Sequence, residues 1–110
     1  MNRESDDVPV ACHLPDAELR EREATLFAQF MSGVIAMEEL LDGYVFRIPG
    51  DKKWIAVAAA LIVAERECCP FLTFTLAFPP NMGPADVRVT GPAGTKEFLT
   101  TVLSKPERCG

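Results

Sequence analysis

Positive charge is scarce in this chain, with 11 Lys and Arg against 16 Asp and Glu and a net charge of −5 over 110 residues. Binding to a phosphate backbone needs clustered Lys and Arg to displace counterions, so nucleic acid is set aside as a partner. The same shortage disfavours an anionic membrane surface. Long apolar runs are also missing: no stretch of ~18 such residues exists, and no transmembrane helix is expected. The opening residues, Met1 to Asp7, carry neither the basic nor the apolar region of a signal peptide. A cytoplasmic protein is expected, in a compartment that keeps thiols reduced. Its partner class is a small thiophilic ligand or a metal ion, and a homodimer is among the assemblies the sequence admits.

Hydrophobic residues are not lacking. They make up 48% of the chain, enough for one modest core at this length. Residues 1–11 read as a flexible segment, 12–104 as a single domain and 105–110, with Cys109, as a frayed tail. Leu14-Pro15-Asp16 places proline and an acid at a helix start. Leu19, Leu26, Phe27, Phe30 and Met31 then recur at helical spacing, predicting an amphipathic helix over roughly 16–31. Val34–Leu41 and Tyr44–Ile48 are strand-like runs around Asp42-Gly43, a strong hairpin signal. A second helix is expected from Asp51 to Cys68, apolar almost all round and so largely buried. Leu72, Phe74, Leu76 and Phe78 alternate with small or polar residues as one face of a half-buried strand, and Val87–Thr90 is the return strand. Gly91-Pro92 opens a last helix with Phe98, Leu99, Val102 and Leu103 on its apolar side. The order α-β-β-α-β-β-α predicts an α+β two-layer sandwich, with a four-stranded antiparallel sheet of permuted ferredoxin-like order and a C-terminal helix. In that topology the first two helices pack antiparallel, bringing Cys12 and His13 towards the end of the second.

The chemistry concentrates at Glu65-Arg66-Glu67-Cys68-Cys69-Pro70-Phe71. Trp54, Ala58, Leu61, Glu65 and Cys68 fall within about 80° of one helix face, so Glu65 projects among apolar side chains. A carboxylate there is costly unless paired, protonated or bound to a cation. Consecutive Cα atoms lie ~3.8 Å apart, below the ~4.4–6.8 Å that disulfides prefer, so Cys68 and Cys69 read as thiols or metal ligands and not as a bonded pair. They sit at a helix C-terminus, where the dipole disfavours thiolate, which suits a metal that drives deprotonation better than a spontaneous nucleophile. Cys12, just before a helix N-terminus, is the third ligand candidate. Glu65 and His13 stand behind the three sulfurs as hydrogen-bonding neighbours, with Glu65 also a candidate proton donor. Two or three thiolates suit Hg(II), Cu(I), As(III) or zinc. The plainer alternatives are cysteines serving as small core hydrophobes, a surface role for His13, and a Glu65 that reaches solvent from the last turn. Gly91-Pro92-Ala93-Gly94-Thr95-Lys96 places glycines and a lysine before a helix but departs from the phosphate-loop order, and reads as a turn and helix cap.

Glu65 through Leu76, together with Gly91 through Leu99, Ala11-Cys12 and Leu41-Asp42-Gly43-Tyr44, resembles a group of small bacterial proteins that share an E-R-x-C-C-P-F-L-x-F-x-L motif. The likeness spans roughly residues 10–103. Proteins of this kind are associated with mercury-type (MerR-like) metal regulators, which implies a setting of heavy-metal response or detoxification and no particular reaction. Where they commonly carry Thr or Ser after the N-terminal Cys, this chain has His13. Three functions follow as expectations. The first is soft-metal or thiophilic-ligand binding through the cysteine pair. The second is thiol-dependent catalysis on an organometallic substrate, and the third a non-catalytic regulatory or interaction domain with structural cysteines.

Overall fold

The structure is a computed structural model describing residues 17–104. Along the chain it forms α1 (Ala17–Ser32), β1 (Ala36–Leu40), β2 (Gly43–Ile48), α2 (Lys52–Cys68), β3 (Thr73–Ala77), β4 (Ala85–Thr90) and α3 (Thr95–Ser104). The expected α+β order is present. The strands make one open antiparallel sheet in the order β1-β2-β4-β3, the order that permuting a ferredoxin-like sheet produces. The expected lead-in 1–11 and tail 105–110 lie outside the described residues, as do Cys12, His13 and Cys109.

Alternation along the strands sorts the two faces of the sheet. Tyr44, Phe46 and Ile48 of β2 and Val87 and Val89 of β4 are buried, while Arg47 and Arg88 are exposed on the opposite face. The helices supply the other half of the core through Phe30, Val57, Ala58, Leu61 and Leu99. Phe30 of α1 meets Phe46 of β2 edge to face, with ring centroids 5.8 Å apart and planes at 81°. Burying each such ring stabilises the fold by about 1.5–3 kcal/mol, and the edge-to-face contact adds about 0.5–1.5 kcal/mol. At the other end of the helix pair, a Cβ on Gly33 would fall 2.4 Å from the Trp54 ring. The chain just after α1 therefore packs against the start of α2, and the two helices run antiparallel as expected. The side chain of Leu19 lies outside the described set.

Three expectations change. Although α2 is apolar almost all round, only Val57, Ala58, Leu61, Glu65 and Cys68 are buried, and Val63 is 63% exposed. One sheet and one neighbouring helix cover a single side of α2, and nothing covers the other among the described residues. The first hairpin turns one residue earlier than its signal: Leu40 pairs with Gly43, leaving Leu41 and Asp42 as the turn. Gly43 serves close approach instead, because a Cβ there would sit 1.8 Å from the Val89 carbonyl oxygen of β4. Phe78 leaves the inward stripe and is 55% exposed, because β3 ends at Ala77 and the chain turns into the loop before β4. In that loop the Gly83 N–H donates to the Pro80 carbonyl at 3.3 Å. Asn81 and Met82 between them take φ of 62° and 58°. Asparagine tolerates this left-handed region, whereas methionine adopts it at a cost.

Candidate metal centre

The site is built where α2 ends. The apolar run Trp54–Ala64 carries the helix to Cys68, and Pro70 stops it by biasing Cys69 away from helical backbone; Cys69 takes φ −128°, ψ 78°. Its N–H still donates to the Glu65 carbonyl at 2.6 Å, closing the last turn. The Leu72 N–H then donates to the Cys69 carbonyl at 3.1 Å, so Cys69-Pro70-Phe71-Leu72 is a reverse turn with proline at its favoured second position. That turn delivers the chain to β3. It also folds Phe71 back over the cysteines, where the ring meets Phe98 of α3 edge to face at 5.2 Å.

These constraints leave both cysteines fully buried and Glu65 3% exposed. One ligand atom from each of Glu65, Cys68 and Cys69 lies within 4.8 Å of the other two. The spacing i, i+3, i+4 on one turn of helix accounts for it. The Cys69 thiol donates to Cys68 Sγ at 3.4 Å. Glu65 is thus on the apolar face, as its helical position predicts, and does not reach solvent. Glu65 is also the one charged residue lining a cavity of about 50 Å³ between the helices and the sheet, bounded otherwise by apolar side chains that include Leu72, Phe74 and Val87.

The oxidation state departs from expectation. Cys68 is disulfide-bonded, and Cys69 keeps its thiol. The exclusion of a bond between the neighbours holds, since 3.4 Å is far beyond the ~2.05 Å of a disulfide. Ligation of a metal by Cys68 therefore requires its reduction first.

Of the residues singled out by sequence, the fold unites Glu65, Cys68 and Cys69, while Cys12 and His13 fall outside the described residues. Two buried polar residues are additions. Glu23 of α1 is 1% exposed and Thr95 of α3 is fully buried. Glu23 was findable, because it stands four and seven residues before Phe27 and Phe30 on the same helical face. The glycine-rich approach to α3 behaves as a turn: the Thr95 N–H donates to the Pro92 carbonyl at 3.0 Å, and Lys96 pairs with Glu39 at 3.1 Å. No described helix is long and apolar enough to cross a membrane.

The donor set fits a thiophilic ion in bent coordination. At the ~2.3 Å metal–sulfur distance of zinc, sulfurs 3.4 Å apart subtend roughly 95° at the ion, whereas linear ligation needs them roughly 4.6 Å apart. Comparison with known proteins adds no family to this geometry: no family model, no curated protein and no solved structure matches the chain.

Proposed function

We propose that the reduced protein binds a soft metal or metalloid ion through Cys68 and Cys69, in a heavy-metal response or detoxification setting. The observation that carries this reading is the closeness of three buried ligand atoms, all within 4.8 Å, at the end of one helix. Thiolates select soft ions, and a buried carboxyl beside them supplies either a third donor or an acceptor that orients the site. Cys12 is the further sulfur in this proposal, and His13 a hydrogen-bonding neighbour. The resemblance to proteins associated with metal regulators supplies the setting, and a reducing compartment supplies the thiol form of Cys68.

Titrating the reduced chain with Hg(II), Cu(I), As(III) and Zn(II), and following thiolate-to-metal absorption and proton release, tests it. Stoichiometric binding is expected, with release of thiol protons for the metal cations such as Zn(II) and with loss of water and no proton release for As(III). Equal binding by a Cys68→Ser/Cys69→Ser variant would place the ion elsewhere and end the proposal.

A further inference from the structure

Glu65 faces two ways. It belongs to the cluster with Cys68 and Cys69, and it also closes one end of the apolar cavity, beside Leu72. Leu72 in turn packs against the buried cluster of Cys68, Cys69 and Phe71. A bare ion at the sulfurs would leave the cavity without a purpose.

We infer that the ligand is an organically substituted trivalent metalloid, R–As(III) with a short apolar R, its arsenic on the two sulfurs and R in this cavity. The inference rests on the metal-site reading above and names its ligand. Three features meet in it. A three-coordinate pyramidal centre holds its substituents at angles close to the roughly 95° that the sulfurs subtend. Its bis-thiolate adduct is neutral, which matters because both cysteines are fully buried and net charge there is expensive. The cavity has the size of a small substituent: one water needs about 10–15 Å³ on this measure, so about 50 Å³ receives a group of roughly three or four heavy atoms.

The capture step balances without an oxidant. R–As(OH)₂ and two cysteine thiols give R–As(S–Cys)₂ and two waters: two As–O and two S–H bonds break, and two As–S and two O–H bonds form. Arsenic stays trivalent throughout. Cys68 must enter as a thiol, so the reaction belongs to the reduced protein.

The test uses the full chain, reduced with a phosphine and freed of it, titrated with arsenite and with methyl-, ethyl- and propyl-arsonous acid. Mass spectrometry reads stoichiometry and competition gives affinity. Affinity should rise about fourfold for each carbon buried, until the cavity is full. Val87→Ile adds a methylene to the lining and should flatten that series while leaving arsenite affinity unchanged. Val89→Ile, on the same lining, replaces it should the first variant fail to fold. Affinities independent of R, or a series unmoved by either variant, overturn the inference while leaving the metal site standing. Failure of every arsenical, arsenite included, overturns it together with an As(III) site, and Hg(II) binding then shows whether the broader reading survives.

Discussion

Two charged groupings in this molecule are solved in opposite ways. On the outer face of the sheet, Arg47 of β2 and Asp86 of β4 stand directly opposite in register and form a fork, at 3.0 Å and 3.4 Å. The hydrogen bond to Asp86, and then their mutual attraction, hold the guanidinium above its ordinary pKa. Both side chains remain partly in water, 52% and 34% exposed. Glu65, by contrast, is carried out of water by the helix that bears it, next to two sulfurs. The outer pair is accounted for by the strands that display it, and surface pairs of this kind contribute little to stability. The inner group is set where solvation is lost, which natural sequences avoid unless the group serves something.

The largest expected contrast comes from removing the sulfurs. Cys68→Ser/Cys69→Ser should abolish stoichiometric binding of soft ions while circular dichroism stays native, and retained binding would dissolve the distinction drawn above. Acidity comes next. For a cation such as Zn(II), ligation needs thiolates and protons compete for them, so apparent affinity should fall as pH falls, by about tenfold per pH unit for each thiol proton displaced below the ordinary range near 8.5; an arsonous acid instead carries both protons away as water. A pH-independent affinity for Zn(II) would mean that the sulfurs are not its donors. A smaller effect is expected at the carboxyl. Glu65→Leu should weaken binding by about 10-fold or more. A fall in melting temperature with unchanged binding would make Glu65 structural, unlike the pair outside. Least of all should happen at Arg47→Ala, with melting temperature and ion affinity both essentially unmoved.

Much of the architecture was legible because burial follows periodicity. Tyr44, Phe46 and Ile48 had to share a face, and Glu65 had to fall in line with Leu61 and Cys68. What periodicity does not encode is how far a covering layer extends. Val63 belongs to a run as apolar as any in the chain, yet no neighbour lies over it among the described residues. Gly43 shows a second limit. Its sequence context signals a turn, but the strand behind it at Val89 is what demands the missing side chain, and that neighbour is remote in sequence. The oxidation of Cys68 is a third, since local spacing does not encode it. The resemblance to metal-regulator-associated proteins contributed a setting only, and the cavity beside Glu65 became visible only from packing.

The loop joining β3 and β4 has a consequence for how that cavity comes to exist. Pro79, Pro80 and Pro84 thin out the conformations open to the unfolded loop, and the left-handed pair Asn81-Met82 bends it in the sense that suits a twisted hairpin. A stiff loop holds the strand register at low cost in chain closure, with Ala77 brought opposite Asp86. A slip of one residue would turn Thr73 and Thr75 inward and send Phe74 out to solvent. Phe74 is part of the cavity wall. The shape of the cavity beside Glu65 therefore depends on a register held from the far end of the hairpin.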